Sequence, residues 1–460
     1  VARGAETLVM EIFGSSGVRG VANEYLNPEF VTHIATAAGS VWDADRVALA
    51  RDTRATGEML SNAAAAGLAS AGCDVDRLGV LPTPGLQAYC EAEGTPGLMV
   101  TASHNPPAYN GVKLVGADGV ELPTGTLERV EERLLTEEFE TVPWSETGDE
   151  RRVEDAADRY VDQLLAAVDG ERIADADLTV ALDPGHGAGA ATSPRVFREL
   201  GCEVITVHAQ PDGRFPGRDP EPVAENLADL GRLVRTTDAD LGVAHDGDAD
   251  RAIFFDETGE FVEGDSALAA LAAQELSAGD VAVSAVNVSQ RLVDVVDTVG
   301  ADLSLTAIGS TNIITRIRDL QEAGERVPVA GEGNGGILFP DYRLARDGAY
   351  TAARFCELIV DRPASEVVAP YDDYRFLRMD VEYDGETERE ALLDAVERVA
   401  READATLDTT DGYRLDYGDS WVLARPSGTE PVVRVYAESA DPERTATLAE
   451  RMHEAMTDAT

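Results

Sequence analysis

Gly97-Leu-Met-Val-Thr-Ala-Ser-His-Asn-Pro106 opens as an apolar run and closes in small and polar residues. Read as a short buried strand, it carries the Ser103 hydroxyl out past the carboxyl edge of a sheet, where α/β proteins gather their ligands. His104 and Asn105 offer hydrogen bonds there, and Pro106 with Pro107 stiffens the exit. Outward from this stretch, apolar β-type runs alternate with helical patterns, the signature of α/β units with mixed or mostly parallel sheets.

In the first third, Val47–Ala50 and Asn110–Val115 read as strands and Gly57–Ala71 as a helix. The acidic stretch Thr136–Glu150, with Pro143 and Gly148, marks a boundary, giving a first unit over 1–150. A second unit, 151–256, has strands at Leu178–Leu182, Glu203–Val207 and Leu241–Ala244. A third, 257–370, has strands at Val281–Val286 and Leu303–Ala307 and helices at Leu268–Glu275, Gln290–Val299 and Thr311–Glu322. Past Pro370 the texture changes. Strand Phe376–Tyr383, helix Glu388–Ala403 with Thr387 as its N-cap, strand Val432–Ala437 and helix Glu443–Ala455 make a smaller α+β unit over 371–460.

Composition narrows the function. Asp and Glu number 86 against 38 basic residues, a net charge of −48 spread along the whole chain. Such a surface suits very high salt, where screening removes self-repulsion, and it predicts a halophilic source and no nucleic-acid or anionic-membrane partner. No apolar run is long enough to cross a bilayer, and Val1–Met10 lacks a secretory pattern. With four scattered cysteines, these features lead to the expectation of a cytoplasmic enzyme. Of the 38 basic residues only Lys113 is lysine; the other 37 are arginine. A lone lysine in so arginine-biased a chain marks a position where the proton must be able to leave, which a guanidinium does not allow. Ten residues after Ser103, Lys113 is the acid or base candidate for a phosphoryl group carried on that serine.

Asp246-Gly-Asp-Ala-Asp-Arg251 follows an apolar run. In extended backbone its three carboxylates point the same way and call for a hard cation, with Arg251 free to pair with phosphate. A calcium-binding EF-hand is the rival, since Glu257 falls at loop position 12, although Arg251 stands where that loop needs glycine. A solvated acidic loop is the plainer alternative. Arg425-Pro-Ser-Gly-Thr-Glu-Pro431, followed by Arg434, makes an anion nest from Ser427, Gly428 and Thr429. Gly331-Glu-Gly-Asn-Gly-Gly336, after a strand expected at Val327–Ala330, lets backbone approach a ligand while Glu332 and Asn334 bond sugar hydroxyls. Phe13-Gly-Ser-Ser-Gly-Val-Arg-Gly20 presents Arg19 among glycines. Of the remaining histidines only His245 neighbours the aspartate loop.

Together and in this order, these loops resemble the α-D-phosphohexomutase family from Phe13 to Arg434. The resemblance implies four domains around a central cleft, three similar α/β units with mixed sheets and a smaller C-terminal α+β domain. It implies a mutase in which phosphorylated Ser103 donates to a hexose phosphate and takes the other phosphoryl group back from a bisphosphate intermediate. By the same resemblance His104, Lys113, Arg19 and Arg251 serve catalysis, and Gly309, Glu332, Asn334, Arg425, Ser427, Gly428, Thr429 and Arg434 hold the substrate. It further implies one magnesium ion held by Asp246, Asp248 and Asp250 with Ser103, a sugar bisphosphate as activator, a small-molecule sugar phosphate as partner, and a monomer or homodimer. Phe13–Asn23, continuing to Pro28, is most similar to phosphoglucosamine mutases, with mannose, glucose or pentose phosphates as alternatives. Asn334 and Gly336 stand where the commoner family pattern has Ser and His. A metal-dependent sugar-phosphate phosphatase and a non-catalytic binding module are the readings from other classes.

Overall fold

The computed structural model describes residues 12–14, 17–427 and 431–459. Four sheets succeed one another along the chain. The first has six strands in the order Val18–Val21, Tyr109–Val115, Gly97–Val100, Arg46–Arg51, Asp74–Val80, Glu150–Arg152. Its inner pairs are parallel, whereas Tyr109–Val115 runs antiparallel to Gly97–Val100 and Val18–Val21 antiparallel to it in turn. All four residues of Gly97–Val100 are buried, as a strand covered on both faces must be, which is why its sequence is a continuous apolar run rather than an alternating one.

The second sheet orders Phe261–Val262, Ile253–Phe255, Leu241–Ala244, Thr179–Asp183 and Glu203–Thr206. The third orders Asp302–Thr306, Val281–Ala285, Ala330–Glu332, Gly336–Phe339 and Arg343–Arg346. Both are parallel at one side and close with antiparallel hairpins at the other. The fourth, from Arg375–Glu382 to Thr406–Asp408, is antiparallel throughout and backed by helices Glu386–Glu402 and Pro442–Thr457. Three mixed α/β units and a distinct α+β unit are thus present. Glu150–Arg152 pairs into the first sheet and Phe261–Val262 into the second, so each sheet extends a few residues past the ends expected from composition.

Most elements lie within a few residues of their expected places. The strand expected at Val327–Ala330 forms at Ala330–Glu332, later because the glycines that follow fold back as a hairpin. The helix expected from Glu388 starts at Glu386, with Gly385 rather than Thr387 at its N-cap. The apolar core of the second and third units is continuous: Phe254 of one stacks on Phe355 of the other at 4.3 Å between ring centroids. Trp421 and Leu423 of the fourth unit pack on Val286 of the third. The four cysteines are buried and free. Among the described residues no helix is long and apolar enough to cross a membrane.

Candidate active site

Beyond Val100 the chain leaves its sheet and turns through Ser103 at φ 49°, a left-handed conformation that costs an L-residue about 1 kcal/mol or more. A buried network holds it there. The Ser103 amide donates to the Thr101 hydroxyl at 2.9 Å, which donates to Asp52 at 2.7 Å. Arg54, also held by Asp52, sends its guanidinium into the middle of the loop. Its Nη2 donates to the carbonyls of Ser103 and Asn105 at 2.7 and 2.6 Å, and its Nη1 to those of Pro106 and Tyr109 at 2.8 and 2.9 Å. Four backbone acceptors of the buried loop thus receive hydrogen bonds from one side chain, the Pro106 carbonyl also accepting from the Tyr109 amide at 3.0 Å.

The aspartate loop leaves the carboxyl end of Leu241–Ala244 and meets the serine loop face to face. A Cβ at Gly247 would lie 2.5 Å from the Ser103 carbonyl oxygen, so only glycine permits the approach. Asp246, Asp248 and Asp250 are buried, with one oxygen of each within 4.8 Å of the others. The Ser103 hydroxyl donates to Asp246 at 2.6 Å. Lys113, from the first sheet, donates to Asp248 at 2.7 Å and Asp250 at 3.1 Å. Thr83 donates to Asp248 at 2.6 Å and Arg346 to Asp250 at 2.7 Å. The second oxygens of Asp248 and Asp250 are buried and have no hydrogen-bond partner among the described residues. Three buried carboxylates brought together in this way, two of them with an orphaned oxygen, fit a hard cation.

The charges act on one another. Burial, then Asp250 and Asp248, push the Asp246 carboxyl up to about 8. Burial would raise Asp250 too, but Arg346, Lys113 and Arg251 outweigh it and hold Asp250 well below the usual range. Burial works against the charge on Lys113, yet Asp248 and Asp250 prevail and raise it. His104, whose Nδ1 is 3.4 Å from the Ser103 hydroxyl oxygen, is pushed down to about 3 by burial, Arg251 and Arg19, and is therefore a neutral imidazole at physiological pH. Arg19 donates to the Asn105 side chain at 2.9 Å, and Arg251 lies 3.8 Å from Asp250. The Nε atoms of both arginines are buried without a hydrogen-bond partner among the described residues, two donors available to an anion.

His245 is buried behind the loop with Nδ1 2.8 Å from the Arg251 carbonyl oxygen. Behind it, Asp183 holds both His208 and Arg218 at 3.0 Å, and Arg218 donates to the His245 carbonyl at 2.6 Å. Glu257 turns elsewhere and accepts from the Ser365 amide at 3.1 Å, so the EF-hand reading fails on geometry as well as on residue type.

Glu332 and Asn334 occupy the hairpin between Ala330–Glu332 and Gly336–Phe339, where the Asn334 side-chain Oδ1 accepts from the Gly336 amide at 3.0 Å. The hairpin is tied to the aspartate loop, since the Ala252 amide donates to the Gly335 carbonyl at 3.1 Å. Gly309, at φ 126°, precedes helix Ser310–Glu322. On the fourth unit Arg425 donates to Asp411 at 3.0 Å, and Asp411 accepts from the Ile308 amide at 3.1 Å, which links that unit's loop to the Gly309 turn. Arg425 and Arg434 face each other in the sheet register, and the Ser427 amide donates to the Val432 carbonyl at 2.8 Å. Gly428 and Thr429 lie outside the described residues.

Asp52, Arg54, Thr83, Asp183, Arg218 and Arg346 bear on the site without having been singled out by sequence. Asp52-Thr-Arg54 carried a usable signal, because it too follows a strand at the carboxyl edge of its sheet. Thr83 and Arg346 make their contacts across units, and Asp183 and Arg218 pair over 35 residues within the second unit, so none of the four has a local signature.

Models of the phosphoglucomutase/phosphomannomutase family match the chain unit by unit. Alpha/beta/alpha domain I matches residues 10–141, domain II 158–259, domain III 263–374, and the C-terminal domain 383–455. A phosphoglucomutase/phosphomannomutase of Thermococcus kodakarensis is 39% identical over 446 residues, covering 94% of this chain and 96% of that protein. A protein named "Probable phosphoglucosamine mutase" from Methanopyrus kandleri is 40% identical over 440 residues, 94% of either chain. A phosphoglucosamine/phosphogalactosamine mutase of Sulfurisphaera tokodaii is 34% identical over 440 residues, 94% of this chain and 96% of its own. A crystal structure of a phosphoglucomutase/phosphomannomutase family protein from Burkholderia thailandensis superposes with a TM-score of 0.85 at 28% identity, covering 98% of this chain and 97% of that one.

Proposed function

Because this chain belongs to the phosphoglucomutase/phosphomannomutase family, we propose that Ser103 carries the phosphoryl group of a hexose-phosphate mutase whose preferred substrate is glucosamine 6-phosphate. The chain is an isomerase, an intramolecular phosphotransferase acting on small-molecule sugar phosphates. The observation that carries the assignment of roles is the 2.6 Å contact between the Ser103 hydroxyl and Asp246, beside two buried carboxylate oxygens that have no partner among the described residues.

In the forward half-reaction the substrate's free hydroxyl attacks the phosphoryl group on Ser103. A new O–P bond forms on the sugar, the serine O–P bond breaks, and the hydroxyl proton is lost while the serine oxygen gains one. The bisphosphate then reorients, and its other phosphoryl group returns to Ser103 by the reverse chemistry. Arg54 keeps the serine presented at an unfavourable φ. Arg19 and Arg251 donate to the phosphoryl oxygens, whose charge spreads in transfer. Lys113 handles the proton of the sugar hydroxyl, and neutral His104 donates or accepts beside the serine oxygen. Asp246, Asp248 and Asp250 would hold a magnesium ion, which would supply charge neutralisation there, and Lys113 lies against two of those carboxylates. Glu332 and Asn334 bind the sugar, while Arg425, Ser427, Gly428, Thr429, Arg434 and the Gly309 turn hold the non-reacting phosphate. A sugar bisphosphate loads the serine.

Phosphorus NMR with magnesium, molar KCl and a trace of hexose bisphosphate tests this reading. Glucosamine, mannose and glucose 6-phosphates are offered in parallel. The expected result is fastest formation of glucosamine 1-phosphate. Preference for mannose or glucose overturns the sugar assignment, and free phosphate alone overturns the transfer.

A further inference from the structure

Arg346 ends strand Arg343–Arg346 at the edge of the third sheet, yet its guanidinium is buried and reaches the aspartate loop. Nη2 donates to Asp250 at 2.7 Å and lies 4.0 Å from Glu121 of the first unit, whose other oxygen accepts from Ser310 at 3.0 Å. On its way the side chain passes over the sugar hairpin. A Cβ at Gly336 would lie 2.8 Å from Arg346 Cδ, 3.0 Å from Asn334 Oδ1 and 3.3 Å from Arg346 Nη1. Two residues on, the Gly348 amide donates to the Ala249 carbonyl at 3.2 Å, and a Cβ at 348 would lie 2.2 Å from the Arg251 carbonyl oxygen. The segment 346–348 is thus laced to the aspartate loop by side chain and backbone, and the Arg346 side chain also touches the hairpin at Gly336.

We propose that Arg346 is a positioning residue that couples the cation loop to the sugar hairpin, and that position 336 is glycine so that its side chain can pass. The guanidinium is a resident counter-charge on Asp250, shared with Lys113, and its alkyl chain is the surface on which Gly336 rests. A cation entering the triad competes with Arg346 for Asp250. Occupancy of the triad is therefore felt at the hairpin, through one side chain that touches both.

The coupling makes a prediction opposite in sign to that of a merely structural residue. Arg346→Met removes a positive charge next to Asp250, so Mn2+ titrated into substrate-free protein and followed by electron paramagnetic resonance should bind about tenfold tighter. In the same variant KM for the hexose phosphate should rise about tenfold, because the hairpin loses its support. Arg346→Lys, which keeps the charge but not the planar fork, should keep wild-type Mn2+ affinity while KM still rises, and it serves if the methionine variant fails to fold. Gly336→Ala should lower kcat/KM about tenfold in the wild-type background but only about threefold in Arg346→Ala, where the nearest obstructing carbon is gone and Asn334 Oδ1 remains. The kinetic arms rest on the mutase reading, whereas the Mn2+ arm needs no turnover. Mn2+ affinity unchanged or weakened in folded Arg346→Met, Mn2+ affinity shifted in Arg346→Lys, or additive losses at 336 and 346 would each overturn the proposal.

Discussion

Ser103 and Asp246 belong to different units of the fold, yet the serine hydroxyl donates to the aspartate across 2.6 Å. The contact joins the two loops around which the site is built. It also places the hydroxyl beside a carboxyl that burial and the neighbouring Asp250 and Asp248 push up to about 8.

That shift has a measurable sign. Between about pH 4 and 8 the folded, cation-free protein holds a proton on Asp246 that the unfolded chain has released, so this group subtracts stability as pH rises through that window. A cation that binds the ionised form must expel the proton. Calorimetric magnesium titrations at pH 7, in buffers of different ionisation enthalpy, should show release of about one proton, falling toward zero at pH 9. Binding with no proton release at pH 7 would contradict the assignment.

Arg54 is the residue on which the serine loop depends. Its replacement by Met leaves Asp52 buried with one charge partner fewer and takes one hydrogen bond from each of four carbonyls. Thermal or denaturant unfolding should show a loss of about 3–5 kcal/mol, and kcat should fall about 100-fold. Magnesium affinity, set by the aspartate loop, should change much less. A variant that unfolds as the wild type does would show that the network does not hold Ser103 in place.

Lys113→Arg separates charge from proton transfer. A guanidinium can pair with Asp248 and Asp250 but cannot give up its proton, so stability should be largely kept while kcat falls about 100-fold or more. Lys113→Met should lose both. Wild-type turnover in the arginine variant would remove the lysine from the chemistry.

The parts of this site legible in the sequence are those written as short strings. The 101–106 and 246–251 loops each follow an apolar strand, and each carries its chemistry within six residues, so pattern and spacing suffice. Lys113 was legible for another reason: it is the one lysine in the chain. Arg54 and Arg346 escaped notice because nothing local distinguishes them among 37 arginines. Their meaning comes from acceptors 49 to 55 residues away for Arg54 and 96 away for Arg346, which only the folded arrangement supplies. Threonine is a good cap by type, which points to Thr387, whereas the chain turns at Gly385 with φ 85° and the helix starts at Glu386. Gly336 departs from the commoner pattern of the sugar loop, and the atom that a Cβ there would meet at 2.8 Å belongs to a side chain ten residues later, which no local pattern reveals.

The net charge of −48 predicts salt dependence. Raising KCl from about 0.1 to about 2 M screens the self-repulsion and should raise Tm by several degrees or more. A Tm insensitive to salt over that range would mean that the acidic surface does not limit stability.

The central claim is tested most directly by loading the protein with a hexose bisphosphate and magnesium, then locating the label by intact mass and peptide mapping. One phosphoryl group should appear on Ser103, be absent from Ser103→Ala, and pass to hexose monophosphate when that is added. A phosphoryl group on any other residue, or turnover that persists in Ser103→Ala, would contradict it.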